Sequence, residues 1–352
     1  MMGKVMSPGF IPQVRASALQ TFMNVARFVR LDPYSLLRQN KIRPEDLEDP
    51  ETMIAASALV KLYEDSAAQS GREDFGLLIA GSRSVGTLGP ISLLLRYQPT
   101  VRSIIEKVIG NMKLLNDIVS ANVDDDGHHA MIRIEHLPGF AQRQIIESTV
   151  AIACRSWREL MAGAWQPESV HFRHSAPTML NTHRRVFGCP VVFDSEFDGI
   201  GCSSASLDLA NPWSDPAMAA HAQRFIDMLS HQRPTSSVTE QARQAIFLLI
   251  SSGNATKEKV AENLAQHPRA LQRMLSRENT NFGELLNEAR RELAMRYLNG
   301  SKQTVTDIAL LLGYSTVSSF TRWFTEEFGK SPAAWRKSSP EDNITKVTAK
   351  AA

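Results

Sequence analysis

The spacing of apolar residues changes along this chain, and the change divides it in two. Leu19, Phe22, Val25, Ala26 and Val29 recur at helical intervals, and Asp32-Pro33 reads as an N-cap followed by the first residue of a new helix. Further helical patterns cover roughly 53–69, 73–81, 88–96 and 100–113. The period then drops to two: Ile118 to Val123, the turn Asp124–Gly127, and His129 to Glu135 with Ala130, Ile132 and Ile134 alternating predict a hairpin. A helix is expected from about Phe140 to Met161, with short strand-like pieces at 170–173, 191–193 and 200–202. From about Thr239 to Lys337 the strand signals vanish and the pattern is helical throughout.

This predicts an α+β N-terminal domain over residues 15–230, a linker over 231–239 and an all-α domain over 240–337. The linker, His231 to Val238 and just beyond, is polar and broken by Pro234. The tail, 338–352, lacks apolar periodicity and is expected to be disordered.

Composition narrows the picture modestly. A length of 352 residues suits two domains, and 43% apolar with 22% charged residues is ordinary for a globular protein. No apolar run approaches the roughly 18 residues that span a bilayer, so no membrane partner is expected. Three cysteines and no signal-peptide pattern point to the cytoplasm. From residue 231 onward there are 17 Lys and Arg against 12 Asp and Glu, whereas the first 230 residues hold 22 against 25. A basic C-terminal part is a weak pointer to a polyanionic partner.

The all-α region carries two helix-turn-helix patterns. In the second, Thr304 with Asp307 gives a cap, and Val305, Ile308, Ala309 and Leu312 form an apolar stripe that Gly313 ends. Ser315 is expected to cap the next helix, Thr316 to about Phe328, which turns Phe320, Trp323 and Phe324 inward. Its other face shows Val317, Ser318, Thr321 and Arg322. In the first, Val260, Ala261 and Leu264 lead to a turn at Ala265–His267. Pro268 then opens a helix with Leu271, Met274 and Leu275 inward and Arg269, Gln272 and Arg273 outward. Such a second helix enters the major groove, where Arg bridges guanine O6 and N7 and Gln pairs with adenine. Between the units a long helix is capped by Asn281 and Glu284 and ended by Asn299-Gly300. Its 17 residues span about 26 Å. Arg290, Arg291 and Arg296 on it are expected to pair with Glu288, Glu292 or solvent.

The stretch from about Val260 to Arg336 resembles the DNA-binding domain of AraC/XylS-type transcription regulators. The best-matching piece is Val305-Thr-Asp-Ile-Ala-Leu-Leu-Leu-Gly-Tyr-Ser315, followed by Ser319-Phe320, Arg322-Trp-Phe324 and Phe328-Gly-Lys-Ser-Pro-Ala-Ala-Trp335-Arg336. Pro268-Arg-Ala-Leu-Gln-Arg273 also fits. By position, the resemblance implies that Arg269, Gln272, Arg273, Val317, Ser318, Thr321 and Arg322 face the bases. Ala265 stands where the family usually has Gly, and His267 where a Ser or Thr cap is usual. From about Ala18 to Ala210 the chain resembles the arabinose-binding type of sensor domain, through Val170-His-Phe-Arg-His-Ser-Ala-Pro177, Phe187-Gly-Cys-Pro-Val-Val-Phe193 and Leu207-Asp-Leu-Ala-Asn-Pro212. That implies effector binding or dimerisation.

Enzymatic alternatives find little support. His171 and His174 lie three apart on a strand-like piece and would face opposite sides, so no metal site is expected. Cys189 and Cys202 have no CxxC partner and read as buried thiols. Gly81-Ser-Arg-Ser-Val-Gly86 lacks the Lys-Ser/Thr of a phosphate loop and reads as a connection. Asp124–Gly127 lacks the later Glu of a calcium loop and reads as a turn. Arg96, Tyr97, Arg102, Lys113, Arg83 and Arg133 are the groups an anionic effector would use, though a solvated surface is the expectation for each. The sequence therefore predicts a DNA-binding, effector-responsive activator without a cofactor, acting as a homodimer with double-stranded DNA, RNA polymerase and an unidentified small molecule. The competing reading is a constitutive regulator whose N-terminal domain only dimerises.

Overall fold

The computed structural model describes residues 11–137, 139–232, 237–250, 255–264, 266–300 and 304–337. It separates into two compact units that divide between residues 234 and 235. The expected tail and the centre of the expected linker, with Pro234, lie outside the described residues.

The N-terminal unit is α+β. A two-stranded ribbon pairs β1 (Gln13–Arg15) with β2 (Met53–Ala55), antiparallel, with Val14 opposite Ile54. Residues 53–55 were expected in a helix. They are a strand instead, because their partner β1 lies 40 residues earlier, beyond any local window. Helices α1 (Phe22–Phe28) and α2 (Pro33–Gln39) lie between the two strands, and the Asp32 side chain caps α2 by accepting from the Tyr34 N–H at 3.1 Å. Then follow α3 (Ala56–Ser70), α4 (Phe75–Gly81), α5 (Ile91–Arg96) and α6 (Val101–Gly110), the last capped by Thr100.

The main sheet begins with the hairpin β3 (Val119–Asp125) and β4 (His129–His136), whose turn lies one or two residues later than its Asp-rich sequence suggested. Asp126 makes that turn by accepting from the His128 and His129 N–H groups, each at 2.8 Å. Next come α7 (Arg143–Leu160), β5 (Ser169–His171), α8 (Asn181–Phe187), β6 (Val191–Val192), β7 (Gly199–Ser203), α9 (Ser204–Leu207) and α10 (Pro216–Gln232). The strand order is β3-β4-β7-β5-β6, antiparallel except for the parallel pair β5–β6. Ala130, Ile132 and Ile134 of β4 are buried beside Ile200 and Cys202 of β7, and Ile132 stands opposite Ile200. Helix α7 carries a continuous apolar side, including Ile145, Val150, Ala151, Cys154 and Trp157, and buries it in the same core.

In the C-terminal unit the described residues form helices only: α11 (Val238–Ile250), α12 (Lys257–Asn263), α13 (Pro268–Arg277), α14 (Phe282–Gly300), α15 (Val305–Leu311), α16 (Val317–Phe328) and α17 (Pro332–Lys337). One core joins them, with Ala245, Leu271, Leu275, Leu285, Ala289, Ile308, Phe320, Phe324 and Trp335 all buried.

Candidate nucleic-acid interface and inner cavity

Each exposed candidate face follows a short helix and a tight turn. In the α15–α16 pair, Thr304 caps α15 through a reciprocal box: its Oγ1 accepts from the Asp307 N–H at 3.2 Å, and Asp307 accepts from the Thr304 N–H at 2.9 Å. Gly313 adopts φ +73°, and the Tyr314 N–H reaches back to the Ala309 carbonyl at 2.9 Å. The cap of α16 is Thr316 rather than Ser315, since the Thr316 hydroxyl accepts from the Ser319 N–H at 3.2 Å. Two hydroxyl residues in a row left that choice to the backbone.

Val317, Ser318, Thr321 and Arg322 share one concave surface with Thr325 and Glu326. Val317 and Ser318 and Arg322 are exposed and Thr321 is half-buried. On the opposite side Phe320, Phe324 and Phe328 are buried. Trp323 donates from Nε1 to Asn287 Oδ1 of α14 at 2.6 Å, which ties this helix to the long one.

In the α12–α13 pair the Thr256 side chain caps α12, and the Gln266 N–H reaches the Ala261 carbonyl at 2.8 Å. Ala265 lies outside the described residues. His267 does cap α13, its Nδ1 accepting from the Arg269 N–H at 3.3 Å. Arg269, Gln272 and Arg273 lie together on the exposed side, with Leu271 and Leu275 buried behind them. Arg269, Arg273 and Arg322 have no acidic partner among the described residues, unlike Arg243, which pairs with Glu288 at 2.9 Å.

Arg290 and Arg291 of α14 behave otherwise than expected, and the side chain of Arg296 lies outside those described. Arg290 donates to the Leu312 carbonyl at 3.0 Å and lies 4.4 Å over the Tyr314 ring, so it braces the turn before α16. Burial pushes the Tyr314 phenol up to about 12, against the opposing effect of Arg290. Arg291 pairs with Glu327 at 3.1 Å. These contacts cross between helices that are distant in sequence, so neighbouring charges gave no sign of them.

The N-terminal unit holds an apolar cavity of about 170 Å³. Ile132 and Ile134 of β4, Ile105 and Ile109 of α6, and Ile145, Ile152 and Trp157 of α7 form much of its wall, with Leu59 and Tyr63 of α3. Of the six groups considered for an anionic effector, only Arg83 lines it. Arg102 is held by Asp125 and Asp208, each at 2.8 Å. Arg133 pairs with Asp124 at 2.5 Å, and Arg96 lies over Trp213 at 5.0 Å. The three aspartates of the hairpin turn are thus absorbed by two ion pairs and a turn. Tyr97 is half-buried, and burial lowers the Lys113 ammonium. The expectation that Arg83 would be solvated is wrong. It is 9% exposed, because the segment after α4 folds it inward onto Thr87.

Elsewhere in this unit, His171 lies between Ser169 and Ser195 at 3.0 and 3.2 Å and stacks on Phe197. His174 approaches Glu147 at 3.4 Å. Cys154 and Cys202 are buried free thiols, and Cys189 is half-buried.

The arabinose-binding domain of AraC transcription regulators matches residues 31–211, and a helix-turn-helix domain matches 260–338. The chain belongs to the AraC family of transcription regulators. Among its relatives is the HTH-type transcriptional regulator VirS of Mycobacterium tuberculosis, 26% identical over 92% of this chain and 96% of that protein. The ornithine utilization regulator of Pseudomonas aeruginosa is 24% identical over 84% of this chain and 88% of that protein. Among solved structures, the transcriptional regulator CdpR of Pseudomonas aeruginosa is 20% identical over 87% of this chain and 96% of that one, with a TM-score of 0.42. As a family member the chain is a DNA-binding regulator with a helix-turn-helix region and an N-terminal ligand-binding type of domain. No helix among the described residues is long and apolar enough to cross a membrane.

Proposed function

We propose that this regulator reads DNA through two helix-turn-helix units, α12–α13 and α15–α16, joined by α14. Arg269, Gln272 and Arg273 face one major-groove segment, and Val317, Ser318, Thr321 and Arg322 face the next. The observation that carries this reading is the equivalence of the two faces. Each follows a capped short helix and a tight turn, and each is backed by the same core. The first presents Arg269 and Arg273 and the second Arg322, none with an acidic partner among the described residues. The first unit supplies most of the polar base readout. The second relies on Arg322 with apolar and backbone contacts.

The N-terminal unit is read as the effector-responsive part, over residues 15–230, linked through 231–239 to the reader over 240–337. The cavity between β4, α6 and α7 supports this over a constitutive regulator, which would need no internal space. Met218, Phe225 and Met228 stand exposed along α10 at helical spacing, which supports a homodimer. The protein acts in the cytoplasm as an activator that contacts RNA polymerase, with no cofactor and no catalytic step. Effector binding shifts the population between DNA-competent arrangements.

Selection of bound sequences from a random duplex pool tests the reading. Two specified segments about one helical turn apart, roughly 10 base pairs centre to centre, are expected in each half-site. A single short segment would overturn the two-unit assignment.

A further inference from the structure

The cavity wall is mostly apolar. Among the described residues its charged lining groups are two arginines, Arg15 and Arg83, with no acidic one. The lining hydroxyls and amide are largely engaged by the protein. Tyr63 donates to the Ala18 carbonyl at 2.8 Å, and Ser148 and Thr149 donate to the Ile145 carbonyl at 3.0 and 2.8 Å. Asn116 Oδ1 accepts from the Ile118 and Val119 N–H groups. Arg15 meets Glu51 and the Leu88 carbonyl.

Arg83 differs from all of these. It is nine-tenths buried, yet its contacts are neutral: Nε donates to Thr87 Oγ1 at 3.1 Å and Nη2 to the Thr87 carbonyl at 3.5 Å. No carboxylate pairs with it among the described residues. Burial pulls the guanidinium below its ordinary value, partly offset by Tyr63 and reinforced by repulsion from Arg15. An arginine nevertheless stays protonated in proteins, so the charge is present and uncompensated. A buried charge without a counter-ion is costly, and a fold that keeps one beside a cavity has left a place for an anion. The surrounding segment is shaped to hold this arrangement. Gly89 has φ +67°, and a Cβ there would strike the Arg15 guanidinium.

We propose that the cavity takes a small organic carboxylate whose anionic end pairs with Arg83 and whose apolar body fills the space against Ile132, Ile134 and Trp157. This rests on the reading of the N-terminal unit as the effector-binding part and names the chemical class it selects. A volume of about 170 Å³ holds roughly one aromatic ring or a short chain, since an engineered cavity of about 150 Å³ takes up benzene. The planar guanidinium fork suits a carboxylate.

Thermal unfolding of the full-length chain, titrated separately with benzoate, hexanoate and the neutral benzyl alcohol, tests this. At least one carboxylate is expected to raise Tm saturably, and benzyl alcohol to do so less. Arg83→Met should weaken the carboxylate roughly tenfold or more, while its ligand-free Tm stays at or above that of the parent, because an uncompensated buried charge is gone. If Arg83→Met does not fold, the comparison of acid with alcohol on the unaltered chain decides by itself. Stabilisation by benzyl alcohol equal to that by either acid, or an unchanged carboxylate affinity in Arg83→Met, overturns the carboxylate assignment and leaves an effector cavity standing. Silence toward all three probes overturns the assignment and the cavity as an effector site together.

Discussion

Arg322 stands exposed on α16 with no acidic partner among the described residues, so its donors remain available to an acceptor outside the protein. Replacing it with Ala should weaken specific DNA binding by about 1–3 kcal/mol and relax preference at one position, read by gel shift against a set of single-base variants. An unchanged preference would remove Arg322 from the reading face. Asp74 shows the opposite use of charge. Burial by itself raises its carboxyl, but hydrogen bonds from Arg72 and Thr182 outweigh that and bring it from 3.8 to about 2. A depressed folded value means that this carboxylate stabilises the fold above the ordinary value near 3.8 and ceases to do so as pH falls toward 2. Thermal unfolding of the parent should therefore lose stability across that interval more than an Asp74→Asn variant does. Parallel pH profiles for the two proteins would show that Asp74 contributes nothing to acid sensitivity.

At the scale of elements, caps and close packing decide which segments stay in place. The reciprocal box of Thr304 and Asp307 satisfies two N-terminal donors of α15, so Thr304→Ala should cost roughly 1 kcal/mol, measured by denaturant unfolding. A midpoint matching the parent's would show the cap to be dispensable. Where α4 crosses α7, a Cβ on Gly76 would lie 2.2 Å from the Gln144 carbonyl oxygen. The Gly76 N–H also accepts no substitute geometry cheaply, since it donates to Gln144 Oε1 at 2.8 Å. Gly76→Ala should destabilise the N-terminal unit by about 1–3 kcal/mol, and unfolding at the parent's denaturant midpoint would contradict this tight crossing. The cap of α15, a polar residue then Asp three on, was legible in the sequence. The crossing was not, because a glycine inside an apolar helix looks the same whether or not another backbone presses on it.

For the whole molecule, the C-terminal unit has its own core, from Ala245 to Trp335, so residues from about 235 onward should fold and bind DNA without the rest. Their affinity should fall at least roughly tenfold between about 50 and 200 mM salt, as released counterions require. Salt-independent binding in a filter or anisotropy assay would be incompatible with phosphate contacts. Most of this unit was readable from the chain alone: its helices, its caps at Thr304 and Asn281, its aromatic interior and the exposed positions of Arg269, Gln272, Arg273 and Arg322. Those signals are local, repeating every three or four residues along one segment. It also showed the hairpin before α7, for the same reason at a period of two. Packing in three dimensions makes 53–55 a strand, sets Arg290 to brace the turn at Gly313, and buries Arg83 beside a cavity while Arg102 and Arg133 are neutralised outside it. The strand, the Arg290 brace and the Arg102 ion pairs depend on partners more than twenty residues away, and Arg133 on one nine residues away across its hairpin. The charge of an arginine is the same in sequence whether its guanidinium meets water, an aspartate or an apolar cavity.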